Sequence, residues 1–289
     1  MDLIYDYMRD DILRHKLNTL TQKIFGFDFE KWVTEGYFEG DYIPYSFLED
    51  GEILSNVSVN RMNFIQNGVR KNYIQIGTVM TDESYRRQGL ARRLMEHIFK
   101  EYENKCDGIY LFGNLNALDF YREMGFEESI EYQYSLKQEW LRGVKAGTPF
   151  RKADEQIKLK YMDAVRNSDV NSALEQVNKY GLQMFYTADL CNVYYADDID
   201  CFAVMEKLDD TLVLQSVISR EHISMKDVIS HIDAEYKCLN LGFPPRAEDV
   251  HMFDAFAYDG GDDYRLFYRG EELESIEKEK LFFPQLSHA

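Results

Sequence analysis

The chain has 289 residues, 51 acidic against 33 basic side chains and a formal net charge of −18 at pH 7. This length predicts one or two domains. The excess of acids argues against a nucleic-acid partner, because phosphates require a basic face. It favours a soluble protein or one with a cationic partner.

No apolar run of about 18 residues is present, so neither a transmembrane helix nor a membrane partner is expected. The opening MDLIYDYMRDD has early acids instead of the basic start of a secretory signal. The four cysteines and the scattered histidines lack the spacing of a disulfide framework or a zinc site. These features predict a cytoplasmic protein with reduced thiols and no metal.

The first half alternates predicted strands and helices. In chain order the patterns predict a helix over 5–25, loops with a short helix, strands over 42–49, 52–64 and 70–81, a helix after residue 89, a strand over 108–113, a helix over 117–124 and a strand over 126–136. Asn67-Gly68 between two strands predicts a type I′ hairpin turn. Leu90, Leu94 and Ile98 recur every four residues, as in a helix packed on a sheet. The order predicts an α/β (α+β) fold.

The second half repeats part of this order. It predicts helices over 153–180, strands over 183–195, 200–207 and 211–219, a helix from residue 224 to about 235, and strands at KCLNL and DYRLFYR. Ser224 and Asp227 form a predicted capping pair. The strands YIQIGTVMT and TLVLQSVIS are alike, which indicates an internal duplication. Residues 137–150 are interpreted as a linker, with domains over 1–140 and 150–289.

A basic loop, YRRQGLARRLM, follows the strand over 70–81. Gly89 has no Cβ, so a ligand can approach the backbone there. The first N–H groups of a helix lack intrahelical partners and, with the helix dipole, form a site for a phosphate. Arg86, Arg87, Arg92 and Arg93 would add positive charge. The alternative is a helix start with a solvated basic face.

Two motifs in this region resemble the GNAT superfamily of acetyl-CoA-dependent acyltransferases. The first is Val79-Met80-Thr81 followed by Arg86-x-x-Gly89-x-Ala91, similar to the family's pyrophosphate loop. The second is Asn114-x-x-Ala117-x-x-Phe120-Tyr121-x-x-x-Gly125-Phe126, similar to its helix beside the pantetheine. The resemblance implies the GNAT fold, with a mixed central sheet splayed at the cofactor strand and flanking helices. A degenerate second GNAT-like α/β domain would follow, as in acetyltransferases of the enhanced-intracellular-survival type.

The resemblance also implies roles for single residues. The backbone of Val79 and Thr81 would pair with the pantetheine amides, and the loop amides would hold the pyrophosphate. The implied acetyl-CoA site comprises Val79, Met80, Thr81, Arg86, Arg87, Gln88, Gly89, Leu90, Ala91, Arg92, Asn114, Ala117 and Tyr121. Tyr121 would lie near the thioester sulfur and protonate the leaving thiolate, as the catalytic acid.

Gln75 departs from the commonest form of the family, which places a glutamate six residues before the end of the Val79–Thr81 segment. Glutamine cannot act as a base at neutral pH. The base is therefore left open among the nearby carboxylates of Glu35, Glu39 and Asp41, a water molecule, a neutral acceptor and the C-terminal carboxylate.

The acceptor is expected in an aromatic and acidic part of the first half, because aromatic faces and carboxylates suit an ammonium group. The residues assigned to it are Trp32, Glu35, Tyr37, Tyr42, Asn56 and Gln75. The segment SREHISMKD has no glycine, so the second half is predicted to lack a cofactor loop. That half would shape the acceptor cleft or an oligomer interface.

The main functional hypothesis is an acetyl-CoA-dependent N-acetyltransferase. It would transfer the acetyl group to a primary amine of a small, cationic molecule by direct attack in a ternary complex, with a protein amine as the second acceptor class. A homo-oligomer is compatible with the sequence. The alternative is a non-catalytic acyl-CoA-binding sensor or scaffold, which Gln75 favours.

Overall fold

The computed structural model describes residues 1–141 and 147–289. The helices and strands of the first half are β1 (Asp2–Tyr5), α1 (Asp11–Phe25), α2 (Glu30–Thr34), β2 (Tyr42–Glu49), β3 (Glu52–Gln66), β4 (Val69–Thr81), α3 (Leu90–Tyr102), β5 (Gly108–Asn114), α4 (Leu118–Glu123), β6 (Glu127–Ser129), β7 (Glu131–Leu136) and α5 (Gln138–Leu141). Part of the predicted linker, residues 142–146, lies outside the described residues.

The helices and strands of the second half are β8 (Arg151–Lys152), α6 (Lys158–Arg166), β9 (Leu174–Gln176), α7 (Tyr180–Thr187), β10 (Val193–Ala196), β11 (Cys201–Leu208), β12 (Thr211–Ser219), α8 (Met225–Ser230), β13 (Cys238–Leu241), β14 (Phe253–Tyr258), β15 (Tyr264–Arg269) and α9 (Ser275–Lys278). No helix within residues 1–141 and 147–289 combines the length and apolar character needed to cross a membrane.

The strands form two mixed sheets. The first has the order β1-β2-β3-β4-β5-β15-β6, with β9 added to β3, and the second has the order β14-β7-β13-β12-β11-β10-β8. In each sheet a long strand pairs in parallel with the strand that follows its helix, β4 with β5 and β12 with β13. The two long strands carry the similar sequences YIQIGTVMT and TLVLQSVIS, so topology and sequence agree. The predicted α/β class with two similar sheets is confirmed.

The hairpin between β3 and β4 has the predicted turn. Asn67 and Gly68 both have positive φ angles, 45° and 83°. A type I′ turn requires this at both central positions, and its twist matches that of the flanking strands. The turn sets the register in which Gln66 faces Val69.

The first sheet splays between β4 and β5. The two strands pair only where Tyr73–Gln75 faces Gly108–Tyr110, although both continue further. A bulge in β4 accompanies the divergence: Thr78 has φ of 40°, and the register with β3 shifts there. Bulges of this kind bend a strand and increase its twist. A wedge-shaped gap therefore opens beside the end of β4.

The sheets exchange strands across the boundary predicted at 140–150. The predicted strand over 126–136 is two strands, since β6 belongs to the first sheet and β7 to the second. The segment DYRLFYR forms β15 and pairs with β5 in the first sheet. β15 pairs with the edge of β5 that faces away from β4. The domain limits stay a prediction. Backbone hydrogen bonds join strands from both sides of the predicted boundary in each sheet.

Other boundaries differ from the sequence patterns. The predicted strand over 183–195 is wrong in its first part, where α7 buries Tyr180, Met184 and Thr187 on one helical face. Its last three residues do belong to a strand, β10. The predicted first helix begins later, at Asp11, where the Asp10 side chain accepts hydrogen bonds from the helix start. The cap at Ser224 is confirmed by a 3.1 Å bond from Asp227 N, although α8 ends at Ser230.

Glu131 is a buried carboxylate at the junction of the two sheets, 3% exposed. It accepts hydrogen bonds from Phe283 N at 2.9 Å and from the Tyr264 hydroxyl at 3.3 Å. Burial raises the pKa of Glu131 from 4.5 to about 7. Glu131, at the start of β7, therefore connects this strand to the C-terminal segment, residues 281–289.

We expect Glu131→Gln to change the pH dependence of stability. Because the folded chain raises the pKa of Glu131, its contribution is present below pH 4.5 and is lost as pH rises through about 7. The raised pKa corresponds to up to about 3 kcal/mol. Urea unfolding at pH 5 and pH 8 should show a smaller decrease in the variant than in the wild type. An equal decrease in both proteins would contradict the assignment.

Candidate active site

The basic loop leads from β4 into α3. A short 3₁₀ turn over Glu83–Tyr85 is capped by Asp82, and Arg87 and Gly89 follow with φ angles of 64° and 75°. No other atom lies within 4 Å of the position that a Cβ on Gly89 would occupy. The loop backbone is therefore accessible in front of the helix.

The start of α3 offers free donors at this place. The first intrahelical bond runs from Arg93 N to Gly89 O at 3.1 Å, so the N–H groups of Leu90, Ala91 and Arg92 precede it. Such N–H groups, together with the helix dipole, bind phosphate oxygens. The residues predicted to hold a pyrophosphate are thus next to one another and open.

The arginines of the loop differ in their partners. Arg92 forms a 2.6 Å ion pair with Glu123, and the Arg93 guanidinium lies 4.6 Å from the centre of the Phe47 ring. Arg86 lies 3.6 Å from Glu83. For Arg87 no ion pair occurs within residues 1–141 and 147–289, so this side chain has its charge available.

Asn114 ends β5, as predicted, and its Oδ1 accepts a 2.9 Å hydrogen bond from Asn116 N. This bond caps the 3₁₀ turn Leu115–Ala117 that precedes α4. Asn114 and Ala117 therefore shape the start of α4, and their predicted contacts with the cofactor stay predictions.

Tyr121 lies on α4 and is 6% exposed. Its ring centre is 5.4 Å from that of Phe267 and 6.2 Å from that of Phe126. Burial raises the pKa of the Tyr121 phenol to about 12. The hydroxyl is protonated at neutral pH, which is the form that a proton donor requires. Phe267 comes from β15, and the sequence patterns did not associate it with this site.

The end of β4 is held from the side of β3. The Ser55 hydroxyl donates to Met80 O at 3.0 Å and lies 2.8 Å from the Thr81 hydroxyl. Met80 is buried, whereas Val79 and Thr81 are half-buried. The segment predicted to pair with the pantetheine is thus anchored on one side and borders the gap on the other.

A cavity of about 460 Å³ adjoins this segment. Both halves of the chain contribute to its wall, which consists of Phe25, Phe27, Phe29, Trp32, Glu39, Asp41, Tyr42, Asn60, Arg61, Met62, Thr78, Gln176, Asn178, Gly181, Leu182, Phe185, Tyr186, His288 and Ala289. Trp32 and Tyr42 were predicted here, as were the carboxylates of Glu39 and Asp41. The residues of α7 were missed, because no local pattern relates them to β4. The C-terminal carboxylate was one of the open candidates for the base, and Ala289 lies in this wall.

Other predicted acceptor residues lie elsewhere. Tyr37 lines a neighbouring cleft of about 290 Å³ with Trp32. Asn56 is fully buried and donates to Thr78 O at 2.9 Å. Glu35 is outside the cavity wall and lies 3.8 Å from Lys31. Glu35 and Asn56 are therefore not brought to the cavity surface.

A network of hydroxyls supports the cavity at the bulge. The hydroxyl of Tyr42 lies 2.8 Å from the Thr78 hydroxyl and accepts from the Ser58 hydroxyl at 2.7 Å. Burial raises the pKa of Tyr42 to about 12. Because Thr78 holds a left-handed conformation, these bonds help to maintain the bulge.

The C-terminal segment passes between the halves at this site. Gln75 is buried, and its Oε1 accepts a 3.1 Å hydrogen bond from Ala289 N. The Tyr186 hydroxyl donates to His288 O at 2.5 Å, and the His288 ring stacks on Phe112 at 3.7 Å. Burial lowers the pKa of His288 to about 4, so its imidazole is neutral. Gln75 therefore positions this segment.

We expect Gly77→Ala to displace the C-terminal segment. A Cβ at this position would lie 2.6 Å from Ala289 O and 3.1 Å from Asn60 Nδ2. Hydrogen exchange of residues 281–289 should become at least about tenfold faster, because the segment must move away from β4. Leu159→Ala, at a side chain that is 78% exposed on α6, is the control. Unchanged exchange in Gly77→Ala would contradict the contact.

The carboxylates of the cavity differ in their electrostatics. Glu39 forms an ion pair with Arg166. Asp41 forms no ion pair within the described parts of the chain, and burial raises its pKa. Over residues 1–141 and 147–289, no group of three or more His, Cys, Asp and Glu side chains could hold a metal ion.

Comparison with known proteins supports the predicted GNAT fold. Residues 7–126 match the family described as "Acetyltransferase (GNAT) family". Among curated proteins no significant match is found. Three similar solved structures are Eis1 from Mycobacterium abscessus (10% identity, TM-score 0.59, 95% of this chain and 75% of that chain), a probable N-acyltransferase from Enterococcus faecalis V583 (14%, 0.57, 94% and 73%) and a GCN5-related N-acetyltransferase from Kribbella flavida (16%, 0.57, 94% and 72%).

At these identities the structures show the fold, and their coverage extends over both sheets. The family match covers the segment that contains the splayed strand, the loop at Gly89 and the helix of Tyr121. Residues 7–126 are therefore similar to a GNAT acetyltransferase domain, and the chain shares its fold with the solved structures over both sheets.

Proposed function

We propose that the protein is an acetyl-CoA-dependent N-acetyltransferase that acetylates a primary amine of a small molecule by direct attack. One observation carries the proposal: the cavity is continuous with the cofactor strand. Thr78 belongs to the cavity wall and immediately precedes the Val79–Thr81 segment. An amine in the cavity would reach the place where the thioester is expected.

The residues present fit acetyl-CoA as a substrate. The open backbone at Gly89 and the free N–H groups of Leu90, Ala91 and Arg92 would hold its pyrophosphate. The edge of β4 beyond Gln75, which no longer pairs with β5, would bind the pantetheine amides as a strand does.

Tyr121 would supply the proton to the departing thiolate. Its raised pKa keeps the phenol protonated, and the rings around it fix its orientation. Backbone N–H groups at Val79 and Met80 would stabilise negative charge on the carbonyl oxygen.

Asp41 is the carboxylate that we assign to the acceptor nitrogen. Gln75 cannot accept a proton, Glu39 is paired with Arg166, and Glu35 lies off the cavity. The C-terminal carboxylate at Ala289 also borders the cavity and is the alternative base. A raised pKa moves the carboxyl group of Asp41 toward the range of a general base. Asp41 would hold the ammonium and receive its proton, directly or through water.

We expect Asp41→Asn to lower kcat/KM for the amine by about 100-fold and to leave acetyl-CoA affinity unchanged, because general bases contribute about 10²–10⁴ in rate. Thiol release with a panel of amines measures the effect. Glu35→Gln is the matched control, since this acid is not part of the cavity wall. If both variants react like the wild type, Asp41 is not the base.

A non-catalytic acyl-CoA-binding sensor is the second candidate. It is favoured by Gln75, whose amide oxygen bonds the backbone of Ala289 where many relatives are expected to hold a carboxylate. Tight acetyl-CoA binding without thiol release for any amine would support the sensor. Turnover of any amine would reject it.

A further inference from the structure

We infer that the acceptor is a monoamine with an apolar body of aromatic size, and that polycationic or polyhydroxylated amines are poor acceptors. This inference rests on the proposed function. It comes from the chemistry of the 460 Å³ cavity, which falls in the usual range for small-molecule pockets, about 300–1,000 Å³.

Aromatic rings from both halves form one wall. The Phe185 ring of α7 lies 5.6 Å from Trp32, 5.9 Å from Phe27 and 6.2 Å from Phe29, centre to centre. The contacts with Trp32 and Phe27 are edge-to-face, and such contacts favour a defined arrangement of the rings. The wall is therefore preformed for an apolar group.

The polar atoms of these aromatic side chains are already bonded within the protein. Trp32 Nε1 donates to Gly181 O at 2.7 Å, and the hydroxyl of Tyr186 donates to His288 O at 2.5 Å. Tyr42 bonds Ser58 and Thr78. The amide side chains of Asn60, Gln176 and Asn178 are the further polar groups of the wall. A body rich in hydroxyls would therefore lose most of its hydrogen bonds to water, and each unpaired group costs free energy.

The charges of the cavity match a single ammonium group. Of its two carboxylate side chains, Glu39 is paired with Arg166, which leaves Asp41 and the C-terminal carboxylate at Ala289 as the remaining negative charges. Arg61 adds a positive charge to the same wall. Additional ammonium groups would be buried beside apolar rings without a partner, which is strongly unfavourable. The substrate class is therefore a monoamine with an apolar body.

The same cavity would also suit the long chain of a fatty acyl thioester. The carboxylate of Asp41 argues against this occupant, because an acyl chain offers it no positive charge. The two occupants are separated by comparing amines at constant cofactor with acyl chains at constant amine.

The first test is calorimetric titration of amines into the full chain saturated with coenzyme A. The probes are 2-phenylethylamine, spermidine and kanamycin. We expect 2-phenylethylamine to bind at least about tenfold more tightly than either polycation. Tighter binding of spermidine or kanamycin would overturn the inference. It would also be overturned if decanoyl-CoA bound the free protein tenfold more tightly than acetyl-CoA.

The second test removes part of the aromatic wall. Phe185→Ala should weaken 2-phenylethylamine binding about tenfold and leave ethanolamine binding and acetyl-CoA binding unchanged. Leu159→Ala, at a side chain that is 78% exposed on α6, is the control. If Phe185→Ala does not fold, Phe185→Leu keeps the volume and should weaken binding in the same direction. Equal binding in the folded variant and the wild type would contradict the assignment.

Thiol release, measured separately, distinguishes this inference from the proposed function. Tight binding of 2-phenylethylamine without thiol release would reject the N-acetyltransferase and keep the ligand class. Faster turnover of spermidine than of 2-phenylethylamine would keep the enzyme and reject the ligand class.

Discussion

Gly89→Trp is expected to weaken acetyl-CoA binding by more than about 100-fold while the chain remains folded. The indole would fill the open space in front of α3, where no other atom lies within 4 Å of the Cβ position. It would also cover the N–H groups of Leu90 to Arg92 that are expected to hold the pyrophosphate. A 100-fold loss corresponds to about 3 kcal/mol. Calorimetric titration of acetyl-CoA measures it.

The control must distinguish the blocking of the loop by the indole from backbone strain at a positive φ. Gly68→Trp places the same side chain at a similar φ, 83° against 75°, in the hairpin between β3 and β4. Here too a Cβ meets no atom within 4 Å. Gly68→Trp should bind acetyl-CoA like the wild type. If Gly89→Trp also did so, the loop would not be the cofactor site. If the wild type did not bind, an interaction protein would become the leading hypothesis.

Tyr121→Phe is expected to lower kcat by about 10²–10³ and to change the Kd for acetyl-CoA by less than about twofold, because a general acid contributes mainly to the transition state. Phenylalanine retains the ring that packs on Phe267 and Phe126. Only the hydroxyl, and with it the proton, is removed. Thiol release under saturating acetyl-CoA measures kcat.

Tyr110→Phe is the matched control. Tyr110 is a fully buried tyrosine of β5 whose hydroxyl has no hydrogen-bond partner among the described residues. Its removal should leave turnover unchanged. With a pKa of about 12, Tyr121 should not cause a decline in activity below about pH 11. Full turnover in Tyr121→Phe would exclude the acid role.

Several features near the cofactor strand were predictable because they depend on neighbouring residues. Asn67-Gly68 determines the turn by allowing positive φ at two successive positions. The spacing of Leu90, Leu94 and Ile98 places one face of α3 in the core, and all three are buried. The two motifs resemble the family whose model matches residues 7–126.

The acceptor side was less predictable. Trp32 and Tyr42, which the sequence patterns grouped together, share the cavity wall, but Phe185 lies in a segment whose pattern indicated a strand. Its apolar residues are close-spaced, and such short runs fit helix and strand alike. Contact with the first half resolves the ambiguity, since α7 meets Trp32 through the carbonyl of Gly181.

By itself the sequence determined the local elements within residues 7–126: the hairpin, the strand end at Val79–Thr81, the loop at Gly89 and the helix of Tyr121. Each depends on residues close together in the chain. Only the tertiary structure decided the exchange of β7 and β15 between the sheets, and the insertion of the C-terminal segment beside Gln75. Those contacts join residues more than 100 positions apart. The pairing of such distant strands and side chains depends on how the whole core packs.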